Sequence, residues 1–177
     1  LERTPPHHPL PQHLGLTPDQ HVLSYNPKLK AVVTQNIDGL HQAAGSKRVL
    51  ELHGNWTRLE CTGCGARSTI DDFDEARAGR VPHCPSCSAV VRPDIVFYGE
   101  ALDPATLEGA VLAIAGADML IVGGTSLAVY PAAGLIDYYQ GGRLVLMNAT
   151  PTPYDGRADL IIREPIGRVF AQIQGHV

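Results

Sequence analysis

The chain has 177 residues, of which 44% are apolar and 18% are charged, and its formal net charge is −4. This length fits one domain, or one domain with a small inserted module, and the apolar content excludes a wholly disordered chain. The slightly acidic balance offers no overall basic field for nucleic acid or anionic lipid. No apolar run reaches the roughly 18 residues of a membrane span, and no secretory signal is visible, so we expect a cytoplasmic protein.

The first 28 residues differ in composition from the rest of the chain. Six of the 14 prolines and four of the eight histidines lie before residue 28. The segment shows neither a helical nor a strand period, and proline lacks the amide donor that both structures use. We therefore predict that residues 1–28 are irregular. The four histidines can form a metal tract, but a solvated tail is the simpler interpretation.

From residue 29 onward, apolar strands alternate with helices. We predict strands over residues 29–33, 49–52, 119–122, 144–147 and 160–162, and helices over residues 38–44, 104–115, 131–139 and 166–173. This alternation is typical of a parallel sheet covered on both faces. Ligands bind such sheets beyond the carboxyl ends of the strands, so the polar residues that follow the strands are the first place to look for chemistry.

All four cysteines fall into two C-x2-C pairs, Cys61 with Cys64 and Cys84 with Cys87, with 19 residues between the pairs. This spacing is typical of a zinc site made of four thiolates. Two disulfides are the alternative, but the chain lacks a secretory signal and is not rich in cysteine. Four thiolates close the coordination shell, so we predict a structural Zn²⁺ in a module over residues 59–91. A nucleic-acid-binding ribbon is disfavoured, because three arginines face four acidic residues between the first and last cysteine.

Three polar segments follow predicted strands. Residues 35–38 offer two amides and a carboxylate, which can orient a ligand or simply form an Asx turn. Gly124, Thr125 and Ser126 can bring backbone amides against a phosphate, although the pattern G-x-G-x-x-G is absent. His53, placed before a glycine, can act as a general base or play a purely structural part.

Together these segments resemble the sirtuin family of NAD-dependent protein-lysine deacylases, in a bacterial form. The resemblance rests on TQNIDGLHQAAG at 34–45, LELHG at 50–54, the two cysteine pairs, RPDIVFYGE at 92–100, GTSLAVYPA at 124–132 and the late Asn148. It covers residues 29–173. The implied fold is an α/β Rossmann-like NAD-binding domain over residues 29–58 and 92–177, with the zinc module inserted at 59–91. NAD and an acyl-lysine protein or peptide would enter the cleft between the two parts.

The resemblance also implies residue roles. His53 is the expected general base toward the nicotinamide ribose, and Asn36 and Asp38 complete the catalytic set. The expected NAD-binding residues are Gln35, Asn36, Ile37, Asp38, Gly124, Thr125, Ser126, Asn148, Ala149, Thr150 and Ile166. The acyl-lysine peptide is expected to add as a strand beside Val96, Phe97, Tyr98, Gly99, Glu100, Leu127 and Val129. The expected products are free lysine, nicotinamide and O-acyl-ADP-ribose.

One expected part of the family pattern is not found. Sirtuins carry a first strand and a Gly-rich loop of the type G-A-G-x-S ahead of the segment that matches residues 35–38, and neither precedes Leu29 here. We therefore expect an N-terminally incomplete parallel sheet, arising from a fragment or frame-shifted product, a truncated homologue, or a site completed by another copy. The alternative function is a catalytically impaired homologue that acts only as a zinc-containing peptide-binding module.

Overall fold

The computed structural model describes residues 28–173, so the segment predicted to be irregular lies outside the described residues except for Lys28. The strands are β1 (Val32–Thr34), β2 (Val49–Glu51), β3 (Gly54–Cys61), β4 (Arg67–Thr69), β5 (Val91–Ile95), β6 (Leu120–Gly123), β7 (Leu144–Met147) and β8 (Leu160–Ile162). The α-helices are α1 (Leu40–Ala43), α2 (Asp74–Arg77), α3 (Pro104–Ala115) and α4 (Ile166–Ile173), and 3-10 helices lie at Ile70–Asp72, Ala132–Tyr138 and Asp155–Arg157. None of these helices has the length and apolar content that a membrane span requires.

Five strands form two parallel sheets, which confirms the predicted α/β class. β1 pairs with β2, and β6, β7 and β8 pair in that order. All four residues of β7 are buried, as expected for a parallel strand covered on both faces. β1 begins three residues later than predicted and ends at Thr34, so the polar residues that follow it start directly at the sheet edge.

One apolar core joins both parallel sheets to the helices that cover them. α3 starts where predicted because Asp103 caps it, accepting a hydrogen bond from the Thr106 amide at 2.7 Å, and Pro104 occupies its first turn. Ala110 and Ala133 are completely buried where α3 meets the Ala132–Tyr138 helix. The main core cluster contains Leu52, Ala110, Ile114, Leu127, Ala132, Leu135, Ile136, Tyr139, Leu144, Leu146 and Tyr154.

The helix predicted over residues 131–139 is a 3-10 helix over Ala132–Tyr138. Amides at both ends of the segment bond to carbonyl groups three residues back, as Gly134 does to Pro131 and Tyr139 to Ile136, while the Ala133 amide bonds four residues back to Val129. A glycine inside the segment weakens α-helix formation, and the buried Tyr139 fixes its end, with the hydroxyl bonded to the Asp118 carbonyl at 3.1 Å. The predicted helix is therefore confirmed, with 3-10 geometry and one residue fewer at each end.

A third sheet is antiparallel, in the order β4–β3–β5, and the sequence patterns did not reveal it. β3 is long enough to run from the end of the parallel sheet into the cysteine-rich segment. Its far end packs into a second apolar cluster, made of Leu59, Cys61, Phe73, Cys84 and Val91. The module therefore has its own small core, separate from the main one.

Candidate active site and metal centre

The four cysteine thiols converge on one point. Cys61 Sγ lies 3.4 Å from Cys87 Sγ, and Cys64 Sγ lies 3.7 Å from Cys84 Sγ. All four sulfur atoms lie within 4.8 Å of one another, and no disulfide joins them. Two sulfur atoms that each lie 2.3 Å from a shared tetrahedral metal are about as far apart as the sulfur atoms of the two closest pairs here, Cys61 with Cys87 and Cys64 with Cys84. The donor set and its geometry therefore fit Zn²⁺.

Backbone amides favour the thiolate form that a metal requires at two of the four cysteines, Cys61 and Cys84. The amides of Cys64 and Gly63 point at Cys61 Sγ, at 3.5 and 3.4 Å. The hydrogen bond from Cys64 is the main reason that the pKa of Cys61 falls to about 6. The amides of Ser86 and Cys87 lower the pKa of Cys84 in the same way. Cys61 and Cys84 are both buried in the module core, so the two inner ligands are fixed by packing as well.

The loop after β1 is held by its own polar side chains. The Thr34 hydroxyl accepts a hydrogen bond from the Asn36 amide at 3.1 Å, and Asp38 Oδ1 accepts one from the Leu40 amide at 3.0 Å. The Asx turn considered for this segment is therefore present at Asp38, where it precedes α1. The loop is also tied to β3, because the Trp56 amide donates to the Ile37 carbonyl at 3.1 Å.

His53 joins this loop to the next strand. Its Nδ1 lies 3.1 Å from the carbonyl oxygen of Gln35, which can only accept a hydrogen bond. Nδ1 therefore carries the proton in the neutral ring, and Nε2 carries a lone pair that bonds to no other residue within 28–173. The carbonyl group of His53 accepts a hydrogen bond from the Val96 amide at 3.0 Å. A potential base thus lies between the loop at 35–38 and the start of the segment at 96–100.

The loops after β6 and β7 lie side by side at the carboxyl edge of the second parallel sheet. The Gly124 amide donates to the Met147 carbonyl at 3.0 Å, and the Thr125 hydroxyl accepts from the Leu127 amide at 3.2 Å. Gly124 has φ +64°, and a Cβ there would enter open space. Ile166 covers the preceding residue, since its Cδ1 would lie 2.3 Å from a Cβ on Gly123.

Asn148 and Thr150 are held together by a residue that the sequence patterns did not indicate. Asn148 Nδ2 donates to the Thr150 carbonyl at 2.9 Å. The Arg163 guanidinium donates to the carbonyl groups of Asn148 and Thr150, at 3.0 and 2.9 Å, and also pairs with Asp155. Arg163 follows β8 and carries no local motif, so only the folded chain shows its part.

The segment expected to receive the peptide is shaped by one arginine. Arg92 contacts both carboxylate oxygens of Glu100, at 2.7 and 2.9 Å, and donates to the Ile95 carbonyl at 2.9 Å. Its guanidinium lies 4.7 Å from the Phe97 ring centre, and Glu100 also accepts from the Phe97 amide. Arg92 lowers the pKa of Glu100 to about 2. Phe97, Tyr98 and Val129 are left at least half exposed.

The fold and the two sites define a class: an α/β protein with parallel strands, a polar edge around one histidine, and an inserted four-cysteine metal module. The sequence profile of the Sir2 family matches residues 9–131. The chain therefore belongs to the Sir2 family. The match begins inside residues 1–28, so part of the segment for which we expected no counterpart aligns with the family.

Curated relatives and solved structures agree with this assignment. The NAD-dependent protein deacetylases of Clostridium acetobutylicum and Cutibacterium acnes are 51% and 46% identical, over 82% and 83% of this chain. The chain spans about 59% of the length of each. A Sir2–p53 peptide–NAD⁺ complex superposes with a TM-score of 0.81 at 39% identity, over 89% of this chain and 68% of that chain. Sir2 bound to acetylated peptide gives a TM-score of 0.81 at 38% identity, over 89% and 69%.

Proposed function

We propose that the chain is an NAD-dependent protein-lysine deacylase of the sirtuin type. The observation that carries the proposal is the setting of His53, whose Nδ1 is bound to the Gln35 carbonyl so that Nε2 is free to accept a proton. Membership of the Sir2 family supports it, as do the names of the relatives. Zn²⁺ remains outside the reaction, because four thiolates leave it no open position.

The polar edge of the sheet fits NAD. Gly124 combines a positive φ with open space above it, which allows a ligand to approach the backbone closely. We assign residues 35–38 to the nicotinamide and its ribose. The remaining NAD contacts go to Gly124, Thr125, Ser126, Asn148, Ala149, Thr150 and Ile166. The division into an NAD-binding domain at 29–58 and 92–177 and a zinc module at 59–91 is part of the same proposal.

In this proposal each residue has a limited task. NAD supplies the ribose carbon that the acyl oxygen attacks as nicotinamide leaves. Asn36 and Asp38 orient the ribose, and the Asx turn at Asp38 fixes their loop. His53 Nε2 then accepts the proton of a ribose hydroxyl, which makes that oxygen a better nucleophile toward the acyl group. That oxygen bonds to the acyl carbon, the bond between the acyl carbon and the lysine nitrogen breaks, and the amine leaves with a proton. With one water consumed, the products are nicotinamide, the free lysine and O-acyl-ADP-ribose.

The acyl-lysine peptide is assigned to the segments at 96–100 and 127–130, which are exposed except for the half-buried Val96 and for Leu127, whose side chain lies in the main core. Main-chain bonds to an added strand recognise a peptide largely without regard to its sequence. Val96 and Phe97 are placed to wall the acyl-lysine tunnel, and Phe97 is 50% exposed. We also propose that the protein is cytoplasmic, because its four closely spaced thiols must stay reduced to bind Zn²⁺.

The test is to incubate the full zinc-loaded chain with NAD and an acetyl-lysine peptide, and to measure nicotinamide release. Release is expected for the wild type, loss of at least about 100-fold for His53→Ala, and little change for the control His41→Ala on α1. Equal nicotinamide release by His53→Ala and the wild type would contradict the assignment of His53 as the general base. Peptide binding without nicotinamide release would instead support the alternative of a zinc-containing peptide-binding module.

A further inference from the structure

A buried carboxylate lies two residues before His53. Glu51 is the last residue of β2, and its side chain is only 6% exposed. Its Oε1 accepts a hydrogen bond from Asn55 Nδ2 at 2.7 Å, and its Oε2 accepts one from Arg58 at 2.6 Å. A buried carboxylate is unfavourable unless such partners satisfy it. Glu51 therefore depends on two residues of β3 for its charge to be tolerated.

These contacts close the turn that carries the histidine. Glu51 and Asn55 flank Leu52, His53 and Gly54, so their hydrogen bond spans the whole turn. The Asn55 amide is itself buried at 5% exposure, and its Oδ1 accepts from the amide and the hydroxyl of Thr57, at 2.9 and 2.7 Å. Asn55 thus has partners on both sides and little freedom to move.

The same residues contact the neighbouring loop and strand. Asn55 Nδ2 would lie 3.3 Å from a Cβ on Gly39, so Asn55 packs directly against the loop that follows Asp38. Arg58 also donates through Nε to Asp94 on β5, at 3.0 Å. Asp94 lies two residues before Val96, whose amide bonds to the His53 carbonyl. The set of Glu51, Asn55, Arg58 and Asp94, which we call the brace, therefore reaches both segments to which His53 is hydrogen-bonded, the loop at 35–39 and the chain at 94–96.

We infer that Glu51, Asn55 and Arg58 are positioning residues that keep His53 Nδ1 on the Gln35 carbonyl and leave Nε2 available. This inference rests on the proposed function for its consequence in catalysis, but its geometry concerns the histidine alone. Removing Arg58 leaves the Glu51 carboxylate buried without a cation, so the turn must open to hydrate it. Opening the turn displaces the imidazole from Gln35, and the ring nitrogens lose their fixed roles.

The experiment reads the tautomer of His53 by long-range ¹H–¹⁵N NMR on the full zinc-loaded chain labelled with ¹⁵N-histidine. His53→Ala identifies the signal by its disappearance. The wild type is expected to show the Nδ1–H tautomer when the ring is neutral. Arg58→Gln is expected to shift the signal toward a mixture of tautomers, whereas Arg80→Gln, at an exposed arginine of the zinc module, leaves it unchanged.

Rescue separates positioning from a general loss of structure. In the double variant Glu51→Gln with Arg58→Gln, the buried charge is gone and the carbonyl oxygen of glutamine can still accept from Asn55. This variant is expected to recover the tautomer signal of the wild type. In nicotinamide release, Arg58→Gln should lower kcat about 10- to 100-fold with the KM for peptide within about twofold, and the double variant should regain most of that loss.

The two proposals fail in different ways. If the wild type releases no nicotinamide, the proposed function fails for this chain. The comparison of His53 tautomers still tests whether the brace positions the histidine. An unchanged tautomer in folded Arg58→Gln, or a double variant no better than Arg58→Gln, overturns the inference. If Arg58→Gln does not fold, Asp94→Asn decides instead, because that side chain is half exposed and tolerates the change. A smaller shift in the same direction supports the brace, and no shift overturns it.

Discussion

Replacing Gly54 by alanine tests how closely the histidine turn is packed against β5. Gly54 has φ +77°, and a Cβ there would lie 2.0 Å from the Asp94 carbonyl oxygen and 2.9 Å from its carbon. Both are backbone atoms, so β3 and β5 must separate by about 1.5 Å to restore ordinary contact. The left-handed backbone alone costs an alanine about 1–2 kcal/mol. Loss of the bond from the Val96 amide to the His53 carbonyl adds about 1 kcal/mol.

We therefore expect Gly54→Ala to lower the free energy of unfolding by about 3 kcal/mol, measured by denaturant titration of the zinc-loaded chain with circular dichroism. The matched control is Gly79→Ala, at φ +71° with no atom within 4 Å of the added Cβ, which should cost only the backbone term. The difference between the two variants isolates the clash. If Gly54→Ala is no more destabilising than Gly79→Ala, β3 and β5 do not approach as described. The change should also reduce nicotinamide release, because it displaces His53.

Three further predictions concern other parts of the sites. Gly123→Ala places a Cβ 2.3 Å from the flexible end of Ile166, which can rotate away, so we expect under about 1 kcal/mol of destabilisation but a raised KM for NAD. Denaturant unfolding measures the first effect and kinetic titration with NAD the second. An unchanged KM for NAD would contradict the assignment of Ile166 to the NAD site. A carboxyl group whose pKa is lowered in the folded state stabilises the fold at pH values above its ordinary pKa. This stabilisation is lost as the pH falls through the lowered pKa. The Glu100 carboxyl signal in NMR should accordingly titrate near pH 2, and Arg92→Gln should return it toward about 4.5. Cys64→Ser should abolish stoichiometric zinc in metal analysis and expose the module amides to hydrogen exchange, whereas retained zinc would contradict a four-thiolate site.

Elements with strong local signals were predicted well. α3 has the bounds expected from Asp103, Pro104 and its apolar spacing, because capping and periodicity act within a few residues. β7 likewise matches the predicted strand at 144–147, since all four of its side chains are apolar and buried. Where the preference is weaker, as around Gly134, the sequence indicated a helix but not its 3-10 geometry.

The antiparallel sheet of the zinc module could not be predicted in this way. Its central strand, β3, should alternate between buried and exposed residues, but its pairing with β5 shifts between Asn55 and Leu59. That irregularity breaks the period of two by which a strand is recognised in a sequence. The pairing also joins residues that are about 30–40 positions apart, so no local pattern encodes it.

In the candidate site, too, residues with a local motif could be predicted from the sequence, whereas residues that act through long-range contacts could not. The motif residues, such as His53, could be proposed from the sequence, because their types and order are characteristic. The residues that hold them in place could not be predicted. Arg58 on β3 bonds to Glu51 on β2 and to Asp94 on β5, and Arg163 bonds to the Asn148 carbonyl. Such bonds depend on which strands become neighbours, and a side chain's charge alone does not reveal its partner.

The metal centre and the histidine turn are connected by the strands they share. β3 begins at Gly54, next to His53, and ends at the ligand Cys61. β5 pairs with both ends of it, Cys61 with Val91 and Gly54 with Ile95. A metal that fixes Cys61 in the module core thus also stabilises the pairing of β3 with β5, the strand that leads to Val96, whose amide bonds to the His53 carbonyl. Loss of zinc should therefore disturb the position of His53 through strand pairing, even though the closed thiolate shell leaves the metal no part in the proposed reaction.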